Sequence, residues 1–418
     1  MDISDQILKI GADAKAASRE LAKLSTRKKN AILEAMAEEI DARREMIRSE
    51  NAKDLAAGRE AGLSSAMLDR LELTDARIDS MIKGLRDVAV LNDPVGEEIS
   101  TWNRPNGLEI RKVRVPIGVI GIIFESRPNV TCDAAALCFK TSNAVILRGG
   151  KEAIHSNLAI ASAMRQGGKE KGMPENAIQL IPTTDREAVK VMCRMTDYLD
   201  LIIPRGGEGL IRAVTEMSHV PVIKHYKGVC HTFVDASANM EMALRIAENA
   251  KCQRPGVCNA METLLVHRDI AESFLPAMGA IFEQHAVEMR GDETVCRLIP
   301  AARPATEQDW YEEYLEKVLA IRVVDNIDEA IAHINRYGSG HSDAIVTQDE
   351  KSEKAFLAEV DSSSVYVNAS TRFTDGAEFG MGAEIGISTD KLHARGPMGL
   401  EELTTYKFVI HGKGQIRE

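Results

Sequence analysis

Aromatic side chains are scarce in this chain, and long apolar runs are missing. Phe, Trp and Tyr make up 4% of its 418 residues, whereas 44% are hydrophobic, so we expect a largely aliphatic core. No apolar run approaches the roughly 20 residues that a membrane-spanning helix needs. The charged, amphipathic start of the chain also lacks the apolar centre of a secretory signal. These absences predict a cytoplasmic protein of roughly two or three globular domains.

Positive charge is in deficit, because 52 Lys and Arg residues stand against 63 Asp and Glu, for a net charge of −11. Proteins that bind nucleic acid or membrane surfaces generally need a basic face, so we expect neither partner. The seven cysteines are odd in number and irregular in spacing, which does not indicate a disulfide framework. Cys252 and Cys258 also fit no common zinc pattern, and we predict no bound metal. Free thiols favour a reducing compartment.

The first part of the chain predicts helices and then a hairpin. Residues 4–92 place apolar side chains at helical spacing, with Ser25 and Thr26 as candidates for an N-terminal cap. Residues 96–116 alternate polar and apolar side chains around an Asn-Gly pair, which is a strong hairpin signal. An uncovered hairpin has unpaired edges, so we expect this one to take part in assembly of a homo-oligomer.

From residue 117 the sequence predicts repeated strand–helix units. Short apolar runs alternate with helical stretches, and a second such series begins near residue 231. This alternation predicts an α/β fold with parallel sheets covered by helices, and ligand sites at the carboxyl ends of the strands. The stretch 371–399 is rich in glycine and predicts functional loops, and residues 404–412 predict a last strand.

Two kinds of residue indicate chemistry. Cys258 lies at a loop-to-strand junction, where a thiol can face a cleft, although the usual role of a cysteine is that of a small buried side chain. Gly149 follows one predicted strand and precedes a helix, and Gly206 and Gly207 follow another. Helix N-termini attract phosphate, so these junctions predict a nucleotide-phosphate site, although glycine also serves plain turns.

Three long segments carry a family resemblance. They read VPIGVIGIIFESRPNVTCDAAAL (115–137), QRPGVCNAMETLLVH (253–267) and RFTDGAEFGMGAEIGISTDKLHARGPMGLEELTTYK (372–407). The chain resembles, over essentially its whole length, the γ-glutamyl phosphate reductases of the aldehyde dehydrogenase superfamily. The resemblance implies NADPH-dependent reduction of L-glutamyl 5-phosphate to L-glutamate 5-semialdehyde and phosphate, which is the second step of proline biosynthesis.

The resemblance also implies an aldehyde dehydrogenase-like fold. That fold has two Rossmann-like α/β domains with parallel sheets, and an oligomerisation element made of the hairpin and a C-terminal strand. The implied boundaries are 1–230 for the N-terminal helices and the NADP(H)-binding domain, 231–395 for the catalytic domain, and 396–418 for a segment that returns to the cofactor domain or the oligomerisation sheet.

The resemblance assigns roles residue by residue. Cys258 matches the nucleophile that forms a thioester. Ser126 stands where many relatives carry an asparagine of the oxyanion hole, so Asn129 and the backbone N–H of Cys258 are further candidates for that role. The expected cofactor-binding residues are Arg148, Gly149, Lys151, Gly206, Gly207 and Glu313. The expected substrate-binding residues are Arg127, Arg254, Ser370, Thr371, Arg372 and Gly376.

One absence separates related chemistries. Hydrolytic relatives carry a water-activating glutamate in an E-x-G-G-K stretch, whereas the comparable residues 224–228 read KHYKG and contain no carboxylate. Its absence favours phosphate over water as acyl acceptor. The alternatives are a coenzyme A-dependent relative, a cysteine hydrolase or acyltransferase without nicotinamide, and a non-catalytic assembly protein. The chain has no room for a kinase domain, so a separate glutamate 5-kinase would supply the acyl phosphate, with handover as a hypothesis.

Overall fold

The computed structural model describes residues 2–417. The α-helices are α1 (Ile3–Leu21), α2 (Thr26–Ala42), α3 (Arg44–Glu60), α4 (Ser65–Leu71), α5 (Asp75–Val90), α6 (Asn129–Lys140), α7 (Ile154–Glu170), α8 (Arg186–Arg194), α9 (Glu208–Met217), α10 (Met240–Cys252), α11 (Arg268–Gln284), α12 (Glu293–Leu298), α13 (Ile327–Tyr337) and α14 (Glu350–Glu359). Short 3-10 helices cover Lys151–Ala153, Glu307–Tyr311 and Thr371–Phe373.

The strands alternate with these helices from α6 onward. They are β1 (Glu98–Asn103), β2 (Glu109–Pro116), β3 (Val119–Phe124), β4 (Ala144–Arg148), β5 (Ile178–Leu180), β6 (Leu201–Arg205), β7 (Cys230–Val234), β8 (Met261–His267), β9 (Glu288–Gly291), β10 (Arg303–Pro304), β11 (Val318–Val324), β12 (Ser342–Val346), β13 (Ser364–Val367), β14 (Ile387–Ser388), β15 (Gly396–Pro397) and β16 (Thr404–His411). None of the helices within residues 2–417 is long and apolar enough to cross a membrane.

The chain divides into two compact units. The first runs from the N-terminus to Lys224 and also contains Gly380–Gly386 and the chain from Met398 onward. The second comprises His225–Phe379 and Ile387–Pro397. The boundaries expected from the sequence, at residues 230 and 395, remain a prediction.

The first unit is built on a parallel four-stranded sheet in the order β5-β4-β3-β6. The predicted helices over 4–92 are confirmed as α1–α5, and Ser25 caps α2 by accepting a hydrogen bond from the N–H of Lys28. The predicted hairpin is confirmed as the antiparallel pair β1–β2, with Gly107 at φ 86° in its turn. The last strand β16 pairs with β2 and completes a three-stranded sheet. The role of this sheet in assembly stays a prediction.

The second unit contains a parallel seven-stranded sheet in the order β10-β9-β11-β8-β7-β12-β13. Successive buried residues of one strand belong to different apolar clusters: Val234 packs with residues of α10 and α11, whereas Phe233 packs with residues of α13 and α14. The sheet is therefore covered on both faces, and the predicted α/β architecture with parallel sheets is confirmed.

Some elements depart from the sequence-based expectation. The run 221–225 is predicted as a strand, but it forms only an isolated bridge between Val222 and Ile202. Helix α14 is not predicted, because Phe356 is the only buried side chain on it and no apolar stripe marks a helix. Strand β9 is missed because it has only four residues, so the alternation of Glu288 and Arg290 with buried Met289 is too short to stand out.

Candidate active site

The predicted nucleophile Cys258 lies in the loop between α10 and β8, and its side chain is half-buried. Its carbonyl oxygen accepts a hydrogen bond from the thiol of Cys230, with 3.2 Å between Sγ and O. Gly228 packs so closely that a Cβ added to it would lie 2.0 Å from the same carbonyl oxygen. The backbone of the predicted nucleophile is therefore held in place by Gly228 and Cys230, which lead into β7.

Gly228 is held in turn by Glu313, whose segment is anchored by a buried ion pair. Its N–H donates to Oε1 of Glu313 at 2.8 Å. Nearby, Lys251 and Glu262 form a fully buried ion pair, with 2.5 Å between Nζ and Oε2. Burial raises the pKa of Glu262, and Lys251 opposes that rise. The other carboxylate oxygen of Glu262 accepts the N–H of Leu315 at 3.2 Å, so the buried pair anchors the segment that carries Glu313.

The glycine-rich segment contributes the predicted substrate residues Ser370, Thr371 and Arg372. Ser370 caps the 3-10 helix Thr371–Phe373 by accepting the N–H of Arg372. The hydroxyl of Thr371 donates to the carbonyl of Asn259 at 2.7 Å. The side-chain amide of Asn259 donates to the carbonyl of Thr374 at 2.8 Å. The residue after the nucleophile thus ties this segment to the Cys258 loop.

Arg372 is the cation most firmly built into this site. Its guanidinium donates to Oδ1 of Asn259 and, through Nε, to Oε1 of Gln253 at 2.9 Å. Burial lowers the pKa of Arg372, the neighbouring Arg254 lowers it further, and the proximity of Cys258 opposes both effects. Arg254 itself is exposed. The guanidinium of Arg372 therefore lies near the thiol, and that of Arg254 lies near Arg372.

The predicted cofactor residues Arg148 and Gly149 lie at the end of β4 in the first unit. Arg148 donates to the carbonyls of Gly149 and Thr184, each at 3.0 Å. A Cβ on Gly149 would lie 2.1 Å from Nδ2 of Asn157, so a side chain does not fit there. Lys151 follows and is exposed.

The second glycine pair, Gly206 and Gly207, precedes α9 as predicted, and Gly207 is its N-terminal cap. The N–H of Gly207 donates to the carboxylate of Glu125 at 2.9 Å. A Cβ on Gly206 would lie 2.3 Å from that carboxylate. Glu125 was not singled out by the sequence analysis, because a lone glutamate after a strand carries no signal for this contact.

The predicted oxyanion residues Ser126 and Asn129 follow β3. Ser126 adopts a φ of 46°, and both its N–H and its hydroxyl donate to Oε1 of Glu152, at 2.6 and 2.7 Å. The side-chain amide of Asn129 donates to Asp133 at 2.9 Å. Burial raises the pKa of Asp133 to about 6. Arg127, a predicted phosphate ligand, is exposed between them.

Within the second unit the structure therefore brings three predicted residues, Ser370, Thr371 and Arg372, to the loop that contains Arg254 and Cys258. Gly376 lies in the same glycine-rich segment and is buried. The sequence analysis missed Gly228 and Cys230. One glycine and one cysteine before a strand do not reveal which backbone they contact.

The sequence and the fold match known proteins. The model of the aldehyde dehydrogenase family matches residues 3–316 and 298–409. The γ-glutamyl phosphate reductases of Geotalea daltonii and Geobacter metallireducens are 57% and 58% identical to this chain over the full length of both proteins. The crystal structure of the γ-glutamyl phosphate reductase of Thermotoga maritima is 50% identical, with a TM-score of 0.97 and coverage of 99% of this chain and 100% of that one. This chain belongs to the γ-glutamyl phosphate reductase family of aldehyde dehydrogenases.

More distant members of the aldehyde dehydrogenase family share the fold alone. An acetylating aldehyde dehydrogenase of Geobacillus thermoglucosidasius is 18% identical with a TM-score of 0.69, and each chain is covered in full. A glyceraldehyde-3-phosphate dehydrogenase of Methanocaldococcus jannaschii, solved in complex with NADP, is 16% identical with a TM-score of 0.68, over 98% of this chain and 95% of that one. The aldehyde dehydrogenase-like fold and the oxidoreductase class predicted from the sequence are thus confirmed.

Proposed function

We propose that this chain reduces L-glutamyl 5-phosphate with NADPH, giving L-glutamate 5-semialdehyde and phosphate through a thioester on Cys258. The observation that carries this proposal is full-length identity of 57–58% to proteins named γ-glutamyl phosphate reductase. The geometry around Cys258 supports it, since a half-buried thiol on a fixed loop beside the guanidinium of Arg372 suits attack on an anionic acyl group.

The chemistry of Cys258 has two stages. Its thiolate attacks the acyl carbon, the bond between carbon and the phosphate oxygen breaks, and phosphate leaves with the electron pair. The attack places a negative charge on the carbonyl oxygen, and N–H groups and polar side chains near this oxyanion stabilise it. One such donor lowers the activation free energy by about 3–4 kcal/mol in studied enzymes. NADPH, when bound, supplies the hydride that converts the thioester to a thiohemiacetal. Collapse of the thiohemiacetal regenerates the Cys258 thiolate and releases the aldehyde.

Residues of the first unit are assigned to the cofactor. Gly149, Gly206 and Gly207 form two strand–glycine–helix junctions, and at Gly149 and Gly206 a Cβ would collide with a neighbouring side chain. Nε of Arg148 is buried and has no hydrogen-bond partner within residues 2–417. These features fit a dinucleotide, and Arg148 with Lys151 would favour the 2′-phosphate of NADP(H).

Other residues complete the assignment. Glu313 of the second unit is assigned to the nicotinamide ribose while its Oε1 holds Gly228. For the α-carboxylate of the substrate we assign Ser370, Thr371, Arg372 and Gly376. For the phosphate we assign Arg127 and Arg254, and for the oxyanion Ser126, Asn129 and the backbone N–H of Cys258.

Assembly and location follow from the same proposal. The sheet β1-β2-β16 exposes Trp102, Tyr406, Phe408 and Ile410, which favours a homo-oligomer. All seven cysteines are free thiols, which favours the reducing cytoplasm. A separate glutamate 5-kinase would make the acyl phosphate, and handover between the two enzymes would protect it from water. Undiminished capture of the acyl phosphate by an added scavenger in the mixed system would count against handover.

The deciding experiment follows absorbance of the reduced nicotinamide in the oxidative direction. The purified protein is mixed with glutamate semialdehyde and NADP, with and without phosphate, beside the variants Cys258→Ala and Cys252→Ala. Cys252 is a matched control, because it is also a partly exposed thiol and ends the helix before the same loop. We expect NADPH to form only when phosphate is present. Its formation should be lost in Cys258→Ala and retained in Cys252→Ala.

Three results would contradict the proposal, and one of them needs a further arm of the assay with coenzyme A in place of phosphate. Formation of NADPH without phosphate would indicate a hydrolytic dehydrogenase, and formation only with coenzyme A would indicate a coenzyme A-dependent enzyme. A folded protein that forms no NADPH under any of these conditions would exclude the reaction. Replacing NADP by NAD in the same assay measures the preference that Arg148 and Lys151 are expected to give.

A further inference from the structure

We propose that Cys230 is a positioning residue for the nucleophile: its buried thiol holds the carbonyl of Cys258 and, together with Gly228, orients the Cys258 side chain for attack. This inference rests on the proposed function, since it assumes that Cys258 is the attacking residue. It assigns a role in catalysis to a second cysteine that does not itself touch the substrate.

The geometry at Cys230 is that of a donor. The residue opens β7, it is 0% exposed, and its Sγ lies 3.2 Å from the carbonyl oxygen of Cys258. Burial raises the pKa of the Cys230 thiol well above its ordinary value, and the nearby Asp343 raises it further. The proton therefore stays on the sulfur at neutral pH, and the neutral S–H can donate to the carbonyl.

The thiol is itself held by a chain of buried polar groups. Nδ1 of His341 lies 3.7 Å from Sγ of Cys230 and 2.8 Å from the hydroxyl of Ser342. That hydroxyl lies 2.6 Å from the hydroxyl of Thr374, which lies 2.6 Å from the phenol of Tyr366. Burial lowers the pKa of His341 to about 3, so its ring is neutral at neutral pH.

This chain of contacts ends in the predicted substrate segment. The carbonyl of Thr374 accepts the side-chain amide of Asn259, the residue after the nucleophile, at 2.8 Å. Cys258 is thus fixed on both sides: its own carbonyl is bound by Cys230, and the next residue is bound by the segment that includes Thr371 and Thr374. Hydrogen bonds therefore link the predicted substrate segment to the loop that orients the thiolate.

The bond to the carbonyl matters because it fixes the peptide plane on one side of the Cα of Cys258, the atom from which the side chain with its Sγ projects. When the donor is lost, the carbonyl loses this hydrogen bond and the loop is expected to shift. Such a shift moves both the sulfur and the N–H assigned to the oxyanion. A misplacement of about 1 Å at reacting atoms can reduce the rate about 100-fold, so a smaller shift is expected to cost about 10-fold.

The test compares two cysteines that make the same kind of bond. Sγ of Cys296 donates to the carbonyl of Gly291 at 3.5 Å in the same unit, apart from the Cys258 loop, so Cys296→Ala is the matched control for Cys230→Ala. Cys230→Val fills the space of the thiol, with one methyl group in excess, and suits a strand, but it cannot donate. Cys230→Ser restores a donor.

Two readouts are measured on each variant. The first is kcat and KM for phosphate-dependent oxidation of glutamate semialdehyde. The second is the rate at which iodoacetamide alkylates the Cys258 peptide across pH, followed by mass spectrometry, which needs neither substrate nor cofactor. Thermal melting checks that each variant is folded.

We expect Cys230→Ala and Cys230→Val to lower kcat about 10-fold and to change the pH profile of Cys258 alkylation, with the KM for NADP unchanged. Cys230→Ser should recover most of the loss, and Cys296→Ala should match the parent protein. Parent-like kcat and alkylation in folded Cys230→Val would overturn the inference, as would equal losses in Cys230→Ala and Cys296→Ala. If the parent lacks the proposed activity, the alkylation profiles still decide whether Cys230 orients Cys258.

Discussion

Replacement of Gly228 by alanine tests the contact that fixes the nucleophile most directly. Gly228 does not lie in the left-handed region of backbone conformation, so alanine is conformationally allowed there. The new Cβ would nevertheless lie 2.0 Å from the carbonyl oxygen of Cys258, 2.6 Å from its carbonyl carbon and 2.7 Å from its Cα. All three are backbone atoms, so no side-chain rotation can relieve the collision.

The size of the effect follows from these distances. Non-bonded carbon and oxygen atoms need more than about 3 Å, so one of the two backbones must move by about 1 Å. The backbone of Gly228 is tied to Glu313 through its N–H at 2.8 Å, which favours movement of the Cys258 loop. A shift of about 1 Å at the nucleophile corresponds to a loss of about 100-fold in kcat. Overpacking should also lower the free energy of unfolding by about 1–3 kcal/mol.

The assay is phosphate-dependent formation of NADPH, with thermal melting in parallel. Gly256→Ala is the matched control, because its Cβ would meet only the carbonyl of Leu315 at the ordinary distance of 3.5 Å. We expect Gly256→Ala to keep kcat within about threefold of the parent, since ordinary contacts need no shift. A folded Gly228→Ala with a kcat close to that of the parent would refute the reasoning, and so would equal losses in both variants.

Three further predictions concern buried ionisable groups. Lys251→Met leaves the carboxyl of Glu262 buried without its lysine partner and should lower the free energy of unfolding, measured by chemical denaturation, by about 3–5 kcal/mol. The double variant Lys251→Met/Glu262→Met should recover most of that loss. The pKa of Asp133 is about 6 in the folded protein against an ordinary value of 3.8, so the free energy of unfolding falls as pH rises from about 4 to about 6. Asp133→Asn should remove this pH dependence and raise the free energy of unfolding by up to about 3 kcal/mol at pH 7. Burial lowers the pKa of His333 to about 2 in the folded protein, so the free energy of unfolding falls as pH drops below about 6.5, where the histidine of the unfolded chain binds a proton. His333→Phe should therefore unfold at lower pH than the parent protein in an acid titration followed by circular dichroism.

The elements that the sequence predicts well are those whose side chains report burial. Strand β3 is buried along its whole length and reads as a continuous apolar run. The hairpin is recognisable because Gly107 supplies the positive φ that its turn requires. Helix α14 has one buried side chain and so shows no apolar stripe, whereas strand β9 alternates correctly but over only four residues, which is too short for its periodicity to stand out.

The sequence offers candidates for the site but not their contacts. Cys258, Arg372 and the glycine junctions are singled out because a nucleophile, a cation and a tight turn each need a particular residue type, and their roles stay predictions. The partners of those residues are backbone atoms, which every residue has. Ser126 illustrates the limit, since its hydroxyl and N–H are both bonded to Glu152, and no pattern in the sequence joins these two positions.

The contact between Cys230 and Cys258 depends on strand register, which periodicity does not determine. Strands β7 and β8 are parallel neighbours, and Cys230 pairs with Met261, three positions after the nucleophile. An irregularity follows at once, because His231 pairs with Thr263 rather than with the next residue of β8. A one-residue slip would point Cys230 to the opposite face of the sheet and take its thiol away from the Cys258 carbonyl. The position of the predicted nucleophile therefore depends on how β7 and β8 pair. Substitution of Cys258 alone removes the thiol and cannot reveal this dependence. Substitutions of Gly228 and Cys230 can, because they leave the thiol in place and change only what holds it.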